Sequence, residues 1–215
     1  MRQMTSPDVE FQEAYKRLIH IAYQIIKPYL DQFDNIEGNI LSCNEYIPKI
    51  YNLFTAARAA KSGRVLEIGF NAGFSTMIML LANPAVHVTA IDICIHPYVK
   101  WCVNLVQELF PNRLTFIEGD SKRVFPHTGT FDLVHVDGDH SIDGATCDFR
   151  NALSMSGAIV ILDDTDIPHI AQLWQDAVTN GQIQNAQNAQ NAQNAQNALI
   201  SSYTSTPFHS IGYVV

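Results

Sequence analysis

The sequence predicts an α/β fold, a mostly parallel sheet with helices on both faces, from three observations. From Arg64 onward, short apolar runs of strand length alternate with amphipathic helical stretches, the pattern of parallel strands joined by crossover helices. The first run opens Val65–Thr76, read V-L-E-I-G-F-N-A-G-F-S-T, which ends a strand in an acid and a glycine, turns through a second glycine and enters an apolar helix. The last two apolar runs, Leu199–Tyr203 and His209–Val214, are joined by a link containing Pro207 that is too short for a crossover helix, so they are expected to pair antiparallel.

Composition narrows the function. The 215 residues, 47% hydrophobic and 16% charged, suffice for one domain with a real core but not for a nucleotide domain plus a separate catalytic one. A net charge of −8 argues against a nucleic-acid partner, whose phosphates would be repelled. The four cysteines, Cys43, Cys94, Cys102 and Cys147, lack the C-x-x-C spacing of a zinc site and the density of a disulfide scaffold. They read as free thiols in a reducing compartment. With no apolar leader at the N-terminus and no run long enough to span a membrane, a soluble cytoplasmic protein is expected.

The first sixty-odd residues (1–62) read as a helical cover ahead of the core at 63–215. Ser6-Pro7-Asp8 suits a helix start, and Phe11, Tyr15, Leu18, Ile19, Ala22, Ile25, Ile26, Tyr29 and Leu30 recur at helical spacing. Glu37-Gly38-Asn39 marks a turn, and a second helix is expected from about Glu45 to Ala60, with Ser42-x-x-Glu45 as a capping box and Pro48 awkward in its first turns. The core strands are expected at Val65–Ile68, His87–Ile91, Leu114–Ile117, Phe131–Val136 and Ala158–Leu162. Between them fall helices at Ser75–Ala82, Pro97–Phe110, Ile142–Leu153 and Ile167–Val178, with a short turn near Lys122–Phe125; Asn-Pro, Pro-Asn or Asn-Gly stops three of the four. Residues Gln184–Ala198 are five copies of Q-N-A, which has no apolar face to bury and is expected to be a tolerated surface insertion.

In an open parallel sheet ligands bind at the carboxyl ends of the strands, and here those ends carry Glu67, Gly69, Asn71 and Gly73; Asp92; Asp120-Ser121; Asp137 and His140; and Asp163-Asp164. Asp92, nineteen residues past Gly73, is spaced to accept ribose hydroxyls, and Asp120 to take an adenine amine, each otherwise a strand-end or capping acid. If the fourth and fifth strands are neighbours, Asp137, Asp163 and Asp164 converge, and their repulsion calls for a neutralising cation, most naturally Mg²⁺. His140, three residues past Asp137, is placed to take a proton from a metal-bound hydroxyl. His135 lies inside a strand and reads as structural, as do His20, His87 and His127; Trp101 and Trp174 read as packing.

Together these stretches resemble class I S-adenosylmethionine-dependent methyltransferases, in the metal-dependent O-methyltransferase branch related to catechol O-methyltransferase and to bacterial sugar and antibiotic O-methyltransferases. The resemblance runs from about Glu37 to Val215 and rests on V-L-E-I-G-x-x-x-G-x-S, F-D-L-V-H-V-D-G-D-H-S and V-I-L-D-D; Asn71 replaces the middle glycine of the more widespread turn. It implies a Rossmann-like seven-stranded sheet of order 3-2-1-4-5-7-6. It also implies that Glu67, Gly69 and Ser75 hold the methionine end of the cofactor, Asp92 the ribose, Asp120 with Ser121 the adenine, and Asp137, Asp163 and Asp164 the metal. His140 falls where catechol enzymes carry a lysine base, and Asp166 where some sugar-directed relatives carry a histidine, so His140, Asp137 and Asp166 are all candidate bases.

The expectation is therefore a Mg²⁺-assisted O-methyltransferase acting on a small hydroxylated acceptor, as a monomer or a homodimer. Its rivals are an NAD-dependent oxidoreductase, disfavoured by the missing G-x-G-x-x-G, and a cofactor-binding scaffold without catalysis.

Overall fold

The computed structural model describes residues 6–34, 36, 44–126, 130–155, 157–185, 206 and 208–215. A seven-stranded sheet runs β3-β2-β1-β4-β5-β7-β6. The strands are β1 (Arg64–Ile68), β2 (His87–Asp92), β3 (Leu114–Glu118), β4 (Leu133–Val136), β5 (Ile159–Asp163), β6 (Ile183–Asn185) and β7 (His209–Val214). β1 to β5 are parallel, and β7 runs antiparallel to both β5 and β6. The order is the one the family resemblance implies. It places a strand-order reversal at β1 and β4, the place where a doubly wound sheet opens a crevice for ligand.

Successive strand residues face opposite sides, and the apolar runs separate accordingly. Val65, Leu133, Ile159 and Ile161 pack in one buried cluster, while Leu66, Val134, Val160 and Leu162 pack in another. The first face is covered by α1 (Ser6–Ile21), α3 (Ile47–Ala59), α4 (Phe74–Ala82) and α5 (Val99–Leu109), the second by α7 (Ile142–Leu153) and α8 (Pro168–Thr179), with α6 (Ser121–Val124) beside α7. Leu18 of α1 and Ile50 and Leu53 of α3 are wholly buried in the first cluster. At about 1.5–3 kcal/mol for each such side chain, the N-terminal helices are held by the same core as α4. Trp174 packs in the second cluster, and Trp101 stacks on Tyr29 at 3.9 Å between ring centroids. The described cysteines, Cys94, Cys102 and Cys147, are free thiols.

Three expectations shift. The first helix reaches Leu30 only through a π-helical turn at Ala22–Ile26, followed by α2 (Lys27–Leu30) with Pro28 in its first turn. The second begins at Ile47, after a 3₁₀ turn at Asn44–Tyr46, which puts Pro48 where its missing N–H costs nothing. Third, the partner of β7 is Ile183–Asn185, so the first Q-N-A copy supplies two residues of an edge strand. The expected strand at Leu199–Tyr203, the remaining Q-N-A copies, the turn at Glu37–Asn39, Ser42 and His127 lie outside the described residues.

Candidate functional site

The glycine turn is built by its backbone. Gly69 has φ +91°, and a Cβ there would stand 1.8 Å from the Asp137 carbonyl oxygen, so only glycine lets β1 exit this close to the end of β4. Gly73 enters α4 at φ +78°, in the left-handed region, with the Phe70 ring against its Cα. Asn71, in place of the middle glycine, takes φ +50°, a conformation asparagine tolerates better than most residues. Asp92 at the end of β2 fixes the turn: its Oδ2 accepts the N–H of Phe70 at 3.0 Å and of Asn71 at 2.8 Å, and its Oδ1 the N–H of Cys94 at 2.7 Å. A carboxylate offers about four acceptor sites, so Asp92 has about one left for a ribose hydroxyl rather than two.

A cavity of about 390 Å³ opens over this turn, within the roughly 300–1,000 Å³ usual for small-molecule sites. Gly69, Asn71, Gly73 and Ser75 line one side; Asp92, Asp120 and Ser121 line another; Asp137 and His140 close the far end. Asp120 also caps α6, its Oδ1 accepting the Lys122 N–H at 3.0 Å. Glu67 is a correction: it does not line the cavity but is wholly buried under α4, where Thr76 Oγ1 donates to its carboxylate and His135 Nδ1 lies 3.0 Å away. Ile93 and Ile95, at 58% and 71% exposure, add an apolar rim that the sequence reading passed over as loop.

At the acid end the three aspartates meet only through Asp137, which lies close to Asp163 on one side and to Asp164 on the other. Asp164, at φ +54°, turns toward His140, whose Nε2 lies 2.8 Å from Asp164 Oδ2 and 3.9 Å from Asp137 Oδ1. The Asp137 and Asp164 carboxylates on either side push His140 up to about 10. Burial, together with the Asp163 charge, pushes Asp137 up to about 7. Asp166 is exposed in the turn before α8.

Asp163 faces the other way, into a buried polar layer beneath α3 that sequence reasoning missed. Its Oδ2 pairs with Lys49 Nζ, and His135 Nε2 stands 4.0 Å off. Burial raises an acid, but the neighbouring Lys49 ammonium above all, with His135, outweighs it and holds Asp163 below its ordinary value. Burial likewise opposes the charged forms of His135 and Lys49, yet their carboxylate neighbours raise both. Asn52, one turn past Lys49, contacts His209 Nε2 at 2.8 Å; burial pulls His209 down to about 3, so it is neutral. The available signal was a lysine and an asparagine three apart on an otherwise apolar helix face.

This geometry tests the expected Mg²⁺ site. The described His, Cys, Asp and Glu atoms close enough to share an ion form two groups, His135–Asp137–Asp163 and Asp137–His140–Asp164; neither holds all three aspartates. Asp137 is the carboxylate common to both, and Asp163 is already paired with the Lys49 ammonium. The three-aspartate set does not fit a divalent ion here.

Residues 66–165 match a family model described as a methyltransferase domain. Among solved structures, the chain is similar to the O-methyltransferase from Bacillus cereus in complex with SAH, at 14% identity and TM-score 0.57, covering 100% of this chain and 93% of that one. It is similar to the SAH-bound methyltransferase of Podospora anserina, at 12% identity and TM-score 0.57 over 90% and 95%. It is also similar to the O-methyltransferase TomG from Streptomyces achromogenes, involved in tomaymycin synthesis and bound to SAM, at 17% identity and TM-score 0.51 over 94% and 90%. At such identities these likenesses establish the fold. No curated protein matches the sequence. Among the described residues no helix is long and apolar enough to cross a membrane.

Proposed function

We propose that this chain, which carries a methyltransferase domain over residues 66–165, transfers the methyl group of S-adenosylmethionine to a hydroxyl of a small acceptor. The observation that carries the reading is the single cavity running from the glycine turn, past Asp92 and Asp120, to Asp137 and His140. Two of the similar solved structures are named O-methyltransferases, which favours oxygen as the accepting atom.

When bound, the cofactor supplies an electrophilic methyl group on a sulfonium. The chain's part is binding, placement and one proton. The turn at Gly69–Ser75 offers backbone to the methionine end, Asp92 one acceptor site to the ribose, and Asp120 with Ser121 polar atoms to the adenine. The acceptor hydroxyl loses its proton to Asp137 Oδ1 or Oδ2, because a carboxyl near 7 exchanges protons at neutral pH. His140 is a poor base: held up to about 10 it already carries its proton, and as a cation between Asp137 and Asp164 it orients them. Mg²⁺ is not carried into this mechanism, since Asp163 has its counter-ion in Lys49.

Calorimetric titration with S-adenosylhomocysteine, with NAD as comparison, tests the reading. Micromolar binding of the homocysteine compound alone is expected. A folded protein that binds neither would leave only the scaffold reading, and NAD binding would restore the oxidoreductase.

A further inference from the structure

The buried layer beneath α3 is matched on both sides. Asp163 and His209 are directly paired across β5 and β7, and above them Lys49 and Asn52 stand three apart on α3. Lysine meets aspartate and asparagine meets histidine, so two polar pairs fall in register between helix and sheet. Lys49 is only 6% exposed and its ammonium also lies 6.0 Å from the centre of the Tyr46 ring, a second favourable contact for a cation. From β1 to α3 acid and base side chains alternate: Glu67, His135, Asp163, Lys49. Asp163 is thereby matched by the Lys49 ammonium before any ion is added, and a divalent cation placed at Asp163 would stand beside that buried ammonium.

We propose that the Lys49 ammonium is the resident cation of this acid cluster, standing where a divalent metal would otherwise be needed, so that methyl transfer by this chain is metal-independent. The proposal deepens the methyltransferase reading and rests on it for the word transfer. Lys49 is a positioning residue: it does not line the cavity and acts through Asp163, with which it pairs. Among the described residues, the other basic group within 4.0 Å of Asp163, His135, lies closer to Glu67, at 3.0 Å.

The full chain is titrated with Mn²⁺, followed by water-proton relaxation, and with Mg²⁺, followed by calorimetry. Wild type and Lys49→Gln are compared, each with and without Asp163→Asn, and binding is scored as the part that Asp163→Asn removes. Wild type is expected to show no such binding at micromolar metal, and Lys49→Gln to gain it, at least about tenfold tighter than wild type. A merely structural lysine would give no such gain. Asp163-dependent micromolar binding by wild type overturns the proposal, as does a folded Lys49→Gln that binds metal no better than wild type. If Lys49→Gln does not fold, the wild-type titration decides alone. S-adenosylhomocysteine is titrated in parallel: its failure to bind wild type counts against methyl transfer and leaves the metal result standing.

Discussion

The glycine turn and the polar layer beneath α3 stand on neighbouring strands but are built from different materials. The turn is backbone: two glycines at positive φ, a run of N–H groups and one aspartate that ties them down. The layer is side chain: four acid and base groups and an asparagine–histidine contact, drawn from β1, β4, β5, β7 and a helix more than a hundred residues upstream of Asp163. A backbone site tolerates most side-chain changes and fails where a Cβ intrudes. A charge layer tolerates coordinated replacement and fails when one partner is removed alone.

The sharpest way to break that contrast is at Lys49. Lys49→Met leaves Asp163 buried without its counter-ion, and a loss of about 3–5 kcal/mol in urea unfolding is expected. Adding Asp163→Leu should restore most of it, because removing both charges removes the penalty. A double variant no more stable than the single would mean the layer is not held by this pair.

On the backbone side, Gly69→Ala should cost about 1–3 kcal/mol and no second substitution should restore it, since its Cβ meets a main-chain oxygen and its φ is unfavourable. Affinity for S-adenosylhomocysteine should fall with it. Asp92→Asn keeps the shape and halves the acceptor capacity, and an affinity loss of about tenfold, or about 1.4 kcal/mol, is expected by calorimetry. Unchanged affinity would remove Asp92 from the ribose.

The layer also carries a pH signature that the turn lacks. His209 stays neutral in the folded chain down to about 3 but takes a proton in the unfolded chain below its ordinary value of 6.5. At this site the unfolded state therefore binds more protons across that window, and the His209 contribution to stability falls as pH drops from about 6.5 toward 3, at up to about 1.4 kcal/mol per pH unit, against an opposite contribution from Asp137, whose folded value of about 7 lies above its ordinary 3.8. Asp163, whose folded value is depressed, adds its own loss only below about 4. His209→Gln should remove the first contribution and leave the others, so that stability relative to wild type rises as pH falls below about 6.5; a difference that does not change with pH would put the titration elsewhere.

The same division explains what was legible in the sequence. The five parallel strands and the turn follow from local patterns, since periodicity and glycine spacing are written in consecutive residues, whereas the strand order came from the family resemblance. The acids at the strand ends were visible too, and all but Glu67, Asp163, Asp164 and Asp166 of the expected site residues line the cavity over the glycine turn. Glu67 was misplaced because a strand's alternation decides which face an acid takes, and Glu67 falls on the α4 face with Val65. Lys49 was invisible as a partner of Asp163, because helical spacing says which residues share a face but not which strand end that face will meet. His135 was read as structural from its place in a strand, which is right about burial and silent about its two carboxylates.

The smallest effect is expected where neither material is present. The first Q-N-A copy lends Gln184 and Asn185 to the edge strand against Tyr213 and Gly212, so removal should begin after it. Excising residues 187–198 shortens the connection to β7 by roughly half, and loop-closure entropy then changes stability by only about 0.6 kcal/mol, in the stabilising direction. Affinity for S-adenosylhomocysteine should be unchanged, since no residue of the tract lines the cavity among those described. Excision that also removes Gln184 and Asn185 should cost more than the longer tract itself, because it strips the hydrogen-bonding partner from β7, the strand that carries His209 against Asp163.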